Sequence, residues 1–232
     1  MKPYQTVPIR DCGEPLVSIP RDRFAAIDPH PYQALGAPYG PRSPFFVRRG
    51  ILDRLERARA ALQSERPGWT FQIFDALRPV AVQKFMVEYT LGELAAERDL
   101  DPAGLSDVDR AALLAEVQVF WAIPSLDPAT PPPHSTGSAI DLTLATPDGQ
   151  PVDMGSPIDE ISQRSYPDHF ADSETESAST FQARRALLRR VLVAAGFAQH
   201  ANEWWHFSYG DQMWAWATGQ TEARYGRAPE AG

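Results

Sequence analysis

The spacing of apolar positions changes several times along this chain, and each change marks an element. Between residues 51 and 63, Ile51, Leu55, Ala58 and Leu62 share one helical face while arginines and Glu56 take the others, which predicts an amphipathic helix. Pro67-Gly68 interrupts it, and the alternating, aromatic run Thr70-Phe-Gln-Ile-Phe74 predicts a strand. Pro79 suits the first residue of a helix running to about residue 96. Ser106 suits the cap of a further helix that continues through Leu113-Leu114. Ala139 to Ala145 reads as a strand, with Ile140, Leu142 and Leu144 opposite Asp141 and Thr143. A helix from Thr180 to about Ala195 carries Leu188, Val191, Leu192 and Ala195 as its stripe, and Gly196 suits the position just past its end. The aromatic stretch Glu203–Tyr209 predicts the last strand.

Strands and helices mix without a regular alternation, so the expected fold class is α+β, in a single domain over residues 1–232. Residues 1–48, rich in proline, glycine and aromatics, read as an ordered wrapping segment, because the aromatics need burial. Residues 166–179 hold Asp168, Asp172, Glu174 and Glu176 among serines and read as a mobile acidic loop, either plainly solvated or covering a substrate.

Composition narrows the partners. Twenty-two basic against 30 acidic residues give a net charge of −8, and no basic cluster is longer than two, which argues against nucleic acid and against an anionic membrane surface. No stretch approaches the roughly 20 apolar residues of a membrane span. Cys12 is the only cysteine, so neither an intrachain disulfide nor a thiolate metal cluster can form. The first residues lack the apolar core of a secretion signal, and the chain is expected in the cytoplasm.

Three short segments carry the chemistry: Asp75-Ala-Leu-Arg78-Pro79, His134-Ser-Thr-Gly-Ser-Ala-Ile-Asp141 and Glu203-Trp-Trp-His206. His134, Asp141 and His206 would supply the three nitrogen and oxygen ligands of a catalytic zinc that keeps one position open for water. Gly137 permits a turn that brings His134 and Asp141 to one point, and Ser135 and Thr136 can hydrogen-bond within it. Glu203 then reads as the general base that takes a proton from the zinc water and passes it to a leaving amine. On a regular strand Glu203 and His206 would point oppositely, so a bend is needed if both serve one site.

Each residue also has a plainer reading. His134 beside a proline run could lie at the surface, Asp141 could cap a strand end, and Glu203 could be a solvated acid. His206 could be a half-buried strand histidine, and Arg78 could pair with Asp75 only to fix a turn. His30, His169 and His200 read as structural or surface residues, with His200 close in sequence to the Glu203–His206 segment.

Together with Asp153-Met-Gly155, these motifs resemble the zinc D-alanyl-D-alanine dipeptidases, within the wider zinc D,D-peptidases, over roughly residues 30–216. The resemblance implies a small antiparallel sheet carrying one zinc per chain on His134, Asp141 and His206, with Glu203 as base and acid. It implies that Arg78 stabilises the developing oxyanion, and it makes Asp159 a candidate contact for the substrate ammonium. The expected reaction is hydrolysis of D-alanyl-D-alanine or a similar small dipeptide. Pro132 departs from the pattern, standing where the family carries a serine that helps hold substrate.

A carboxypeptidase or endopeptidase acting on longer cell-wall peptides would use the same zinc site. A non-catalytic, zinc-stabilised binding module would need neither Glu203 nor Arg78. An iron(II) oxygenase triad usually sets its carboxylate two residues after the first histidine, against seven here.

Overall fold

A five-stranded sheet lies at the centre of the structure, a computed structural model that describes residues 2–229. In chain order the elements begin with β1 (Leu16–Ser18), β2 (Ala25–Ala26), the short α1 (Pro31–Ala34) and β3 (Phe46–Arg48). α2 (Arg49–Glu65), β4 (Thr70–Asp75), α3 (Val80–Glu97) and α4 (Asp107–Phe120) follow. β5 (Ala139–Ala145), α5 (Glu176–Ala194), β6 (Ala198–Gln199), β7 (His206–Ser208) and α6 (Gln212–Ala217) complete the set. The main sheet runs β2-β4-β5-β7-β6, antiparallel except for the parallel β2 edge, and β1 pairs with β3 beside it. The fold is α+β, as its irregular alternation of elements implies.

β5 is central and buried along its whole length. Ile140, Leu142 and Leu144 join Phe71, Ile73 and Phe207 in a core closed by Ile51, Leu55 and Leu62 of α2 and Leu188 and Leu192 of α5. Each such fully buried aliphatic side chain stabilises the fold by about 1.5–3 kcal/mol relative to exposure. A second cluster packs α3 on α4 through Val82, Met86, Leu91, Leu113 and Val117, with Tyr32, Tyr39 and Trp121 against it. Tyr32 and Tyr39 of the N-terminal segment are buried by this packing.

One irregularity sets up the site. Ile73 pairs with Leu142, yet Asp75 pairs with Asp141, so two residues of β4 oppose one of β5. This bulge turns Asp75 away from the face of Ile73 and onto that of Asp141, and bulges of this kind commonly re-aim a side chain beside an active site. Alternation alone would end the strand at Phe74 and leave Asp75 in the following turn.

Two expectations need correction. The last strand covers only His206–Ser208, and Glu203–Trp205 lie in a bend before it. α5 begins at Glu176, where the Thr175 hydroxyl caps the Ala178 amide, so 176–179 belong to a helix and not to the acidic loop. The rest of that loop is tied to α5 through Asp168, which pairs with Arg189 and accepts from Gln182. The other expected helices match closely, with Gly196 at φ +102° after α5 and the Ser106 hydroxyl capping the Asp109 amide at 3.1 Å.

Replacing Ser106 by Ala should cost about 1 kcal/mol through loss of this cap. Thermal denaturation should show a midpoint lower by roughly 2–4 °C.

Candidate active site

Asp75, Asp141 and His206 sit on neighbouring strands in direct register: Asp75 opposite Asp141, and Asp141 opposite His206. This places two carboxylates and an imidazole in one row across the sheet. His134 arrives from the other direction, on a single helical turn spanning Pro133–Thr136. Gly137 ends that turn at φ +73°, a conformation that favours glycine, and an added Cβ would meet Leu16 at 2.6 Å. The Ser135 hydroxyl donates to the Pro132 carbonyl at 2.7 Å and that of Thr136 to the Pro133 carbonyl at 2.5 Å, locking the turn.

Adjacent buried carboxylates repel, and Arg78 separates them. Its Nε donates to Asp75 at 2.8 Å, Nη1 to Gln83 at 3.0 Å, and Nη2 to Asp141 at 3.1 Å and the Tyr32 hydroxyl at 3.3 Å. Four of its five N–H donors are thus engaged, leaving one on Nη1. His30, edge-on to Tyr32, Tyr39 and Phe45, and the Tyr39 hydroxyl reach the other oxygen of Asp75 at 3.1 and 3.0 Å. Burial would raise the Asp75 carboxyl, but Arg78, His30 and His134 outweigh it and hold it at about 2. Asp141, equally buried, is held well below its ordinary value by His134 and His206.

His134, Asp141 and His206 form the one group of metal-ligating side chains found among the described residues. His134 Nε2 lies 3.1 Å from His206 Nδ1 and 3.2 Å from Asp141 Oδ2, and His206 Nδ1 lies 3.0 Å from Asp141 Oδ1. Tetrahedral zinc with bonds of about 2.0–2.1 Å needs ligand–ligand edges of about 3.3 Å, so the donors stand close to the required separation. His134 Nδ1 lies 2.7 Å from the Ala76 carbonyl, which accepts its proton and leaves the Nε2 lone pair facing the other donors. The donor set fits a zinc ion.

Glu203, from the bend before β7, lies with Oε2 at 3.6 Å from His206 and Oε1 at 3.6 Å from His200. The bend satisfies the condition that a regular strand would violate. Burial pushes its carboxyl well above the usual range, with the charges of Asp141 and Asp159 adding to the effect. Asp159 holds an unusual φ of +66° and accepts from the Tyr32 hydroxyl at 2.5 Å. Burial, and then the Asp141 charge, raise it to about 7. The loop bearing Asp159 is anchored by the buried Arg185, which donates to the Met154 and Tyr166 carbonyls and to the Ser156 hydroxyl. Trp204 turns to that side and donates to Ser156 at 3.0 Å, while Trp205 lines the cavity.

All six proposed residues, Arg78, His134, Asp141, Asp159, Glu203 and His206, line one cavity of about 40 Å³. At ~10–15 Å³ per water centre that is room for roughly three waters. Pro133 lines it and Pro132 does not, and no residue of 166–179 reaches it. His200, read from sequence as structural or surface, is half-buried at its wall, and desolvation holds its imidazole well below the ordinary value. Lys2, Tyr4, Gln83 and Trp121 are further lining residues that no motif marked. The one available hint was position: Gln83 stands five residues after Arg78, within the first turn of α3.

The chain belongs to the D-ala-D-ala dipeptidase family of peptidases, whose model matches residues 25–224. It is therefore a peptidase of that metal-dependent class. A D-alanyl-D-alanine dipeptidase of Synechocystis is 44% identical over 98% of this chain and 97% of its own length. A namesake from Escherichia coli is 42% identical over 32% of this chain and 36% of its own. Among solved structures, VanYB in complex with D-Alanine-D-Alanine is 15% identical with a TM-score of 0.44, covering 75% of this chain and 79% of that one. No described helix is long and apolar enough to cross a membrane.

Replacing Arg78 by Met should leave Asp75 and Asp141 buried side by side without a cation. Urea denaturation of the metal-free protein should then report a loss of about 3–5 kcal/mol.

Proposed function

We propose that this protein hydrolyses D-alanyl-D-alanine, or a similarly small dipeptide, to free amino acids with one zinc held by His134, Asp141 and His206. The observation that carries the reading is the convergence of these three donors with Glu203, Arg78 and Asp159 on one small cavity. Zinc in such a site supplies a Lewis acid for the scissile carbonyl and brings the pKa of its water to about 7.

Glu203 takes the proton from the attacking water and returns it to the leaving nitrogen, a transfer worth roughly 10²–10⁴-fold in rate. Burial, with the charges of Asp141 and Asp159, raises its carboxyl, which favours the proton-holding form that must donate to the leaving nitrogen. Arg78 keeps one uncommitted N–H donor and lines the same cavity. Loss of such a donor to a developing oxyanion typically costs on the order of 10²–10³-fold. Asp159, steadied by Tyr32, offers a carboxylate to the free ammonium of the substrate.

The same centre would serve a carboxypeptidase on longer cell-wall peptides. The dipeptide is favoured because the cavity is small and its walls include two acids beyond the metal ligand, Asp159 and Glu203, so one remains for a free amino terminus. A cytoplasmic setting would match this chemistry, since free dipeptides are the substrate.

Amino-acid release should be measured from D-Ala-D-Ala and from an N-acetylated peptide ending in D-Ala-D-Ala, with zinc-loaded and chelator-treated protein. Cleavage confined to the free dipeptide and lost on chelation is expected; cleavage of the blocked peptide at equal efficiency overturns the dipeptide assignment. Glu203→Gln should lower kcat by at least about 10²-fold, with bound zinc measured by atomic absorption unchanged.

A further inference from the structure

The cavity described above has a wall from an unexpected source. Residues 2–6, with a short helical turn at Pro3–Thr6, contribute Lys2 and Tyr4 to the lining. This segment is held in place over a long stretch. The Gln212 side-chain amide donates to the Val7 carbonyl at 2.7 Å and to the Ala129 carbonyl at 3.0 Å, joining the segment to α6 and to the loop before His134. Ala223 donates to the Pro8 carbonyl at 2.8 Å and accepts from the Arg10 amide at 2.9 Å. Tyr4 is buried at 9% exposure against this clasp.

A zwitterionic substrate brings two charges. Asp159 answers the ammonium, and the carboxylate needs a cation that is not already consumed. Arg78 and Lys2 are the two lining residues with a fixed positive charge. Four of the five donors of Arg78 are already committed, and its charge is shared between Asp75 and Asp141. Lys2 makes no ion pair among the described residues, although it is mostly withdrawn from water and sits close enough to feel the Glu203 charge. A partly buried ammonium on a flexible stem that lines the cavity without a fixed counter-ion is placed to receive an anion there.

We infer that Lys2 is a specificity residue that binds the C-terminal carboxylate of the substrate, and that residues 2–6 form a fixed cover closing the site around the C-terminal residue. The inference rests on the peptidase reading above. It holds for any substrate ending in a free carboxylate, so it does not depend on whether the amino terminus is free. Lys2 touches no scissile atom, and its contribution is made in binding.

The test measures binding separately from turnover. In the zinc-loaded Glu203→Gln protein, calorimetry compares D-Ala-D-Ala with its C-terminal amide, before and after Lys2→Met and Lys2→Arg. Lys2→Met should weaken binding of the free acid by about tenfold or more, leave the amide unchanged, and so erase the preference for the acid; Lys2→Arg should restore most of it. In the parent enzyme the same substitution should raise KM for D-Ala-D-Ala with a smaller change in kcat. Equal weakening of acid and amide, or no weakening of either, overturns the inference, with circular dichroism confirming that each variant is folded. A parent enzyme that cleaves neither free nor blocked D-Ala-D-Ala would instead overturn the reading on which the inference rests.

Discussion

The structure depends on one electrostatic problem and its solution: two buried carboxylates, Asp75 and Asp141, lie opposite each other on adjacent strands. Like charges in that arrangement oppose strand pairing, and here they occupy the centre of the sheet. Arg78 makes the arrangement tolerable by bonding to both, and His30 and Tyr39 complete the shell of Asp75. Asp75 thereby fixes Arg78, and Arg78 orients Asp141 toward the two histidines. On the proposed function, the anionic ligand to a metal and the cation to a reacting carbonyl would both come from this one chain of contacts.

The supporting elements follow from this need for rigidity. β5 brings Asp141 from the most buried strand, β7 brings His206 in register, and the glycine-ended turn brings His134. None of the three donors comes from a long loop, which suits a site whose groups must be held to a fraction of an ångström. Glu203 and Asp159 come from bends and loops instead, but each is anchored. The loop of Asp159 is bonded to Arg185 of α5, and Trp204, beside Glu203, is bonded to Ser156 of that same loop.

Much of this was legible in the sequence because it is local. The stripe of α2, the alternation of β5 and the caps at Ser106 and Gly196 depend on neighbours within a few residues. The grouping of His134, Asp141 and His206 was legible because residue type and spacing mark them in the sequence. The parts that were missed depend on contacts between distant segments. No local pattern announces the bulge that re-aims Asp75, because it answers to pairing with β5, 66 positions further on in the case of Asp141. His200 enters the wall because β6 pairs with β7, and Lys2 because α6 holds the first turn of the chain. For the acidic loop, composition left a cover open beside a plainly solvated loop; no residue of it lines the cavity, Asp168 is spent on α5, and the segment that does line the cavity carries no motif.

The clasp between residues 5–10 and 212–223 has a consequence for how the protein comes into being. The Gln5 carbonyl and the Gln212 amide that approaches it at 3.4 Å are 207 positions apart, so the cavity is walled by segments far apart in sequence. Contacts of such long range form late, after the entropy of closing the intervening chain has been met by the sheet and its helices. The cavity therefore remains unfinished until this clasp closes, and a folding intermediate with its sheet already formed would still carry an open, unwalled site.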